Sequence, residues 1–324
     1  MLSEGLVPNV VTYSSLIYGL CITGEIRRAE EVLQQMSSRG HPPNVVTYSI
    51  LINGLCKNGE TEKAEKLLCY MVSRGLKPNV VTYNSLVDGF CKKRLLDKAV
   101  EMLHCMVSKG VKPNVVTYNV VMNALCKEAK IEKAEELLYD MISHGIDPDI
   151  RSYNTLMHGY SKLGCWKDTL RIFKDMIDRG FQPYVVTYGS MMYSVCKQGQ
   201  TKEGEKLLDL MVKGGIKPDK VSYQILLLGH ATDGTLDDVM SVLDRMQVDH
   251  IAAPDYETYT YLIKALAKNK RVNEAICVLK RMKLDGVKPD IATWSPIPKL
   301  LLEMERVDDA RDIMDKMTSG ETND

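Results

Sequence analysis

The chain has 324 residues, 45% of them apolar, and its 42 Lys and Arg are matched by 42 Asp and Glu for a formal net charge of zero. That length exceeds what one compact core organises, the apolar share excludes a disordered chain, and the charge balance excludes attachment to polyanions by bulk positive charge. No run of eighteen apolar residues occurs, so no membrane-spanning helix is expected.

The chain opens on MLSEGLVPN, which has neither an apolar signal core nor an Arg/Ser-rich transit segment. It matches the close of a later block, MVSKGVKPN at 106–114, so residues 1–9 are expected to be the end of a truncated preceding repeat, with Met1 in the column that later holds Met36. From Val10 the sequence returns to itself at a 35-residue step, the signature of a repeat array. In the first unit, 10–44, Tyr13, Leu16, Ile17, Leu20 and Cys21 recur at helical spacing. After Gly24 a second stripe runs through Ile26, Ala29, Val32 or Leu33, and Met36. Gly40 stops that second helix and Pro42-Pro43 keeps the chain from continuing it.

The same pattern of helix, short turn, helix and loop is predicted for 45–79, 80–114, 115–149, 150–184, 185–219, 220–255, 256–290 and 291–324. Pro43, Pro78, Pro113, Pro148, Pro183 and Pro218 keep the step, Pro254 comes one residue late, and Pro289 restores it. Tyr13, Tyr48, Tyr83, Tyr118, Tyr153, Tyr188, Tyr223, Tyr259 and Trp294 form one column, and Met36 through Met317 another. A lone hairpin cannot bury both of its apolar stripes, so neighbours must stack and share a core. The Tyr and Met columns are read as that core, and Ala29, Ala64, Ala99, Ala134, Ala275 and Ala310 as close helix approaches. Nine cysteines include no CxxC pair; five of them, Cys21, Cys56, Cys91, Cys126 and Cys196, share one place per repeat, which fits buried free thiols better than a metal site or disulfides.

Two places look weak. The unit from Lys220 carries an inserted residue, reads GHATDG where others read a G-L-C-K block, and has His250 in place of the usual Gly. Pro296 and Pro298 should delay or shorten the first helix of the last unit. The region after residue 220 is therefore expected to bind a ligand less well and to exchange amide hydrogens sooner.

The 35-residue step, the VVTY blocks and the KPN or KPD closes make VVTYNSLVDGFCKKRLLDKAVEMLHCMVSKGVKPN, residues 80–114, similar to a near-consensus pentatricopeptide repeat. The resemblance covers essentially the whole chain. Uniform units resemble the pure, non-editing branch of that family, and the PNVVTY units near the start resemble its fertility-restorer-like members. The resemblance implies an all-α fold, a right-handed superhelical solenoid of antiparallel helix-turn-helix repeats. It also implies sequence-specific binding of single-stranded RNA, one base per repeat, on organellar transcripts, in the mitochondrion or alternatively the chloroplast. A nuclease or other organellar factor is the further partner implied, with the chain monomeric on RNA and no cofactor.

In the family, the fifth and last residues of a unit read the base. Here these are Ser14 with Asn44, Ser49 with Asn79, Asn84 with Asn114, Asn119 with Asp149, Asn154 with Tyr184, Gly189 with Asp219, Gln224 with Asp255, and Thr260 with Asp290. An Asp carboxylate only accepts and suits the imino N–H of U or G, whereas an Asn amide can donate to ring nitrogens of A or C. The first four units then imply A, A, C or U, and U; Thr260 with Asp290 implies G, and Asp219 leans to G. Tyr184 and Gln224 leave their bases undetermined. Val11, Val46, Val81, Val116, Val186 and Val221 hold the second place, where the family sandwiches bases, with Arg151 and Glu257 departing and Glu257 expected to repel the backbone. Lys57, Lys92, Lys127, Lys162, Lys197 and Lys268 recur where the family contacts phosphates.

Each column also has a plainer reading. Asn or Asp before a helix is an ordinary N-cap, the lysines complement a helix C-terminus, and the valines are solenoid packing. No nucleophile–base pair, metal cluster, phosphate loop or deaminase signature occurs, which argues against an enzyme. A protein-binding scaffold is the alternative to RNA binding.

Overall fold

The structure, a computed structural model, describes residues 8–248 and 253–318, with side chains as far as Asp315. Met1, the inserted stretch with His250, and the side chain of Met317 lie outside that range. The chain divides into two units, Met1–Gly159 and Tyr160–Asp324. All regular structure in the described residues is helical, and none of these helices is long and apolar enough to cross a membrane.

In the first unit α1 (Val10–Ile22) and α2 (Ile26–Ser38) form a hairpin, followed by α3 (Val45–Lys57) and α4 (Thr61–Ser73), α5 (Val80–Lys92) and α6 (Leu96–Ser108), and α7 (Val115–Lys127) and α8 (Ile131–Ser143). The boundary between the units falls inside α9 (Ile150–Leu163). Here α1 packs on α2 and α3, α3 on α4 and α5, α5 on α6 and α7, and α7 on α8. Second helices lean on the next first helix, α2 on α3 and α4 on α5, so the first helices form one uninterrupted layer.

The second unit repeats the scheme with α10 (Trp166–Asp178), α11 (Val185–Cys196), α12 (Thr201–Lys213), α13 (Lys220–Asp233), α14 (Leu236–Val248), α15 (Tyr256–Lys268) and α16 (Val272–Leu284). Here α11 packs on α12 and α13, and α13 on α14 and α15. In the last repeat the first helix is split into α17 (Ile291–Trp294) and α18 (Pro296–Glu303), before α19 (Val307–Thr318). The helix is not delayed, since α17 begins at Ile291; instead it is broken at Ser295, and Pro296 sits at the start of α18, where its missing N–H costs nothing.

The core is built from the columns. Tyr83, Tyr118, Tyr153, Tyr223 and Tyr259 are buried, as are Met36, Met71, Met106, Met141, Met176, Met211, Met246 and Met282. Tyrosine hydroxyls tie the first helix of a repeat to the end of its second: Tyr118 Oη donates to Asp140 at 3.0 Å, and Tyr259 Oη donates to Asp285. The fully buried alanines occupy the close helix approaches. A second close approach was not read from the sequence: a Cβ added to Gly54, Gly89 or Gly159 would fall 3.0 Å or less from the sulfur of Cys21, Cys56 or Cys126 in the preceding repeat. The cysteine of one repeat fills the notch left by the glycine of the next, and burial pushes the thiol pKa of Cys21 up to about 11 and of Cys56 to about 12.

The turn inside most hairpins uses one left-handed residue, the α13–α14 turn at Gly234 (φ −94°) being the exception. Gly24 and Gly59 supply it at φ 80° and 79°, whereas Arg94, Ala129 and Lys270 are held near φ 60°. In the GHATDG stretch α13 runs on to Asp233, and His230 fills the buried place held elsewhere by Leu55, Phe90 and Leu125, with its Nε2 2.9 Å from Glu205. The unusual sequence is thus absorbed by a packed histidine.

Candidate nucleic-acid interface

Second, fifth and thirteenth places of a first helix lie three and eight residues apart, which brings them onto one face. Val46, Ser49 and Lys57 lie on α3 in this way, and Val116, Asn119 and Lys127 on α7. The valines of that face are exposed, from 48% at Val186 to 70% at Val11. Solenoid packing therefore does not explain the valine column, because a packed valine would be covered by its neighbours. Val11, Val46, Val81 and Val116 in the first unit, and Val186 and Val221 in the second, are the exposed β-branched side chains that remain uncovered.

Among the described residues the Asn or Asp that ends a unit is a side-chain N-cap, as the plainer reading expected, whereas Tyr184 makes no side-chain cap bond. Asn44 Oδ1 accepts from the backbone N–H of Thr47 at 3.0 Å and from its hydroxyl at 3.1 Å. Asn79 with Thr82 and Asn114 with Thr117 repeat this arrangement. Asp149 with Ser152, Asp219 with Ser222, Asp255 with Thr258 and Asp290 with Thr293 repeat it with a carboxylate. Because the partner is an N–H donor, the inward atom of each Asn must be its oxygen. The cap thus aims Nδ2 outward from an Asn, and Oδ2 outward from an Asp. Asn44, Asn79 and Asn114 are exposed; Asp149 and Asp219 are half-buried.

The same hydroxyl reaches the fifth residue of the preceding first helix. Ser14 meets Thr47 at 2.9 Å, Ser49 meets Thr82 at 2.7 Å, Asn84 meets Thr117 at 2.7 Å, and Asn119 meets Ser152 at 2.7 Å. In the second unit Thr260 meets Thr293 at 2.9 Å, and Gln224 reaches Thr258 only at 3.4 Å. The two side chains that the family resemblance pairs across thirty residues of sequence are therefore joined through one bridging hydroxyl. That third-place residue was missed in the sequence, although Thr12, Thr47, Thr82, Thr117, Ser152, Thr187, Ser222, Thr258 and Thr293 are hydroxyl-bearing without exception. Ser14, Ser49, Asn154 and Thr260 are themselves nearly buried, so the last residue is the more accessible partner.

At Asn119 the pairing is direct: Nδ2 donates to Asp149 Oδ1 at 3.0 Å while Oδ1 accepts from Ser152. Burial raises the Asp149 pKa, but the hydrogen bonds from Asn119 and Ser152 outweigh it and hold the carboxyl below its usual range. Gly189 contributes no side chain, and a Cβ built there would meet only Ile225, at 3.9 Å. At Asp255 the outward oxygen is taken, since Lys220 Nζ donates to Oδ2 at 2.7 Å and to Glu257 at 2.9 Å. Glu257 is therefore not the lone repelling charge expected from sequence.

All six column lysines are exposed. Lys92 pairs with Asp88 at 2.6 Å, and Lys197 donates to the carbonyl of Lys162 with its ammonium 5.8 Å from the Tyr193 ring centroid. A concavity of about 840 Å³ between α10 and α12, lined by Trp166, Met191, Leu207 and His230, shares no residue with this face. Among the described residues, no group of three His, Cys, Asp or Glu could hold a metal ion.

The PPR repeat family model matches residues 8–57, 51–92, 78–127, 113–162, 148–197, 183–232 and 254–297, and the PPR repeat model matches 221–251. The chain belongs to the PPR repeat family. Among solved structures its fold is similar to that of the pentatricopeptide repeat protein PPR10 from maize, with a TM-score of 0.66 at 24% identity over 98% of this chain and 49% of that one. PPR10 in complex with an 18-nt psaJ RNA element gives a TM-score of 0.50 at 24% identity, over 98% of this chain and 50% of that one. This PPR chain thus spans about half the length of PPR10. None of the curated proteins compared matches its sequence.

Proposed function

We propose that this PPR array binds single-stranded RNA with sequence specificity, one base per repeat, and acts by occupancy of organellar transcripts without catalysis of its own. Protection, processing, translation and silencing are the consequences that occupancy can have. The observation that carries the reading is the bridged pair. In successive repeats a cap side chain has one polar atom fixed inward, its other polar atom turned out beside an exposed valine, and a fifth-place side chain tied to it. Capping and reading are compatible because they use different atoms of one side chain.

The base preferences follow from the outward atom. Outward Nδ2 of Asn44, Asn79 and Asn114 donates to a ring nitrogen of A or C, or to a carbonyl oxygen of U, favouring A in the first two units and C or U in the third, where Asn84 is the fifth residue. Outward Oδ2 of Asp149 accepts from the N3–H of U, and Asp290 with Thr260 favours G, as Asp219 does more weakly. The valines form the apolar walls of each base site, and Lys57, Lys127, Lys162 and Lys268 contact phosphates, with Lys92 and Lys197 exchanging their internal partners for them. PPR10, which shares the fold, was solved with an RNA element bound. The organellar compartment, mitochondrion ahead of chloroplast, rests on the family resemblance, as does a nuclease partner.

The test is affinity for an RNA whose successive bases follow these preferences, in either polarity, against its scrambled counterpart over a range of salt. The proposal expects tighter binding of the matched RNA and a log-linear loss of affinity with salt. Equal affinity for both RNAs, or none, would leave a protein-binding scaffold as the function.

A further inference from the structure

We infer that Lys220 closes the reading position of the repeat spanning 220–255, so that RNA passes this repeat without base selection. The inference rests on the RNA-binding reading above and concerns one position within it.

Three residues depart from the repeat pattern together. The first place of a unit is apolar at Val10, Val45, Val80, Val115, Ile150 and Val185, but here it is Lys220. The second place of the following unit, a valine in most repeats, is Glu257. The last place is Asp255, whose Oδ1 is spent on the cap to Thr258. Lys220 Nζ then donates to Asp255 Oδ2 at 2.7 Å and to Glu257 at 2.9 Å, so one ammonium joins both carboxylates.

Each contact a base would use is diverted. The outward acceptor of Asp255 faces an ammonium instead of a base imino group. One wall of the site is Val221, but the other is a carboxylate, which offers no apolar surface to stack against. The fifth residue, Gln224, is turned toward Thr258. By contrast, Asp149 and Asp219 have an apolar first-place residue, Val115 and Val185, and their hydrogen bonds engage Oδ1 alone. At this repeat the first-place residue thus occupies the cap's second oxygen.

An exposed ion pair is weak by itself. Closure here relies on occupancy of the acceptor together with loss of one wall, so releasing Lys220 and restoring the wall should reopen the site. The experiment compares the full chain with the variants Lys220→Val, Glu257→Val and the double variant, on four matched RNAs differing only at the seventh base. Lys220→Gln, which keeps length without charge, replaces Lys220→Val should that variant fold poorly.

The original chain should bind the four RNAs within about twofold of one another. The double variant should prefer U or G over A and C by roughly tenfold, the size of a single good base contact. Glu257→Val alone should tighten binding to all four without a preference. An indifferent double variant that still prefers matched over scrambled RNA at other positions overturns this inference alone. A uniform loss of affinity with a shallower salt dependence overturns it too, since Lys220 would then be a phosphate contact. If neither protein distinguishes matched from scrambled RNA, the RNA-binding reading itself falls.

Discussion

On the proposed reading the Asn or Asp cap of a repeat carries two duties, and its atoms separate them. Asn44 Oδ1 satisfies the start of α3, which leaves only Nδ2 to meet a ligand. The sequence set capping against reading as alternatives because spacing shows which residue precedes a helix but not which atom is consumed. Gly189 offers a constructive test. The space at its missing Cβ is open, with Ile225 at 3.9 Å. Gly189→Thr would place a hydroxyl where Thr260 has one, so preference for G at the sixth base should rise by up to roughly tenfold. Binding to four RNAs varied at that base checks it, and an unchanged profile would remove the fifth residue from the reading. Reactivity should separate the cysteines as cleanly. Burial pushes Cys56 and Cys196 up to about 12, so both remain thiols near neutrality, whereas Cys69 is exposed. Mass spectrometry after limited alkylation should find Cys69 modified well before either.

Helix boundaries were the most legible part of the chain, since Asn or Asp at the cap, Gly at the end and Pro beyond are local signals. What stayed hidden was contact between elements. The hydroxyl column at Thr47, Thr82 and Thr117 becomes a bridge only through the stacking of first helices, which no local signal shows. The need for glycine at 54 and 89 likewise arises only from the cysteine of the preceding repeat packed against them. Gly89→Ala should destabilise the fold by about 1–3 kcal/mol, because Cys56 has no room to yield. Ala129→Gly should do the reverse. The residue sits at φ 58°, and relief of that strain less the entropy of glycine leaves roughly 0.5–1 kcal/mol of stabilisation. Urea denaturation of both variants decides the signs. The split at Ser295 was legible from Pro296, and amides of α17 and α18 should exchange sooner than those of α15.

For the whole molecule, zero net charge means that affinity must come from periodic placement. Acid should act through the carboxylates. Asp149 and Asp285 are held below their usual range, each against burial, by hydrogen bonds from Asn119 and Ser152 and from Tyr259 and Arg281. Their stabilising contribution is present above the ordinary carboxylate pKa and is lost as the pH falls through the lowered folded values. The family and the all-α hairpin array were readable from the 35-residue step together with the VVTY blocks, the KPN or KPD closes and the helical spacing of the apolar residues. The closed position at Lys220 was not, because residues 220, 255 and 257 meet only after the helices stack. The central claim, that cap residues read bases, is tested most directly at Asp149. Asp149→Asn keeps the cap, since Asn and Asp cap about equally well, and keeps an oxygen for Asn119, but turns the outward acceptor into a donor. Affinities of both proteins for RNAs differing only at the fourth base should show preference moving from U to C, by about 1–3 kcal/mol as in direct base readout, with other positions unchanged. If preference at the fourth base stays where it was, Asp149 is a cap and nothing more, and the reading account is wrong.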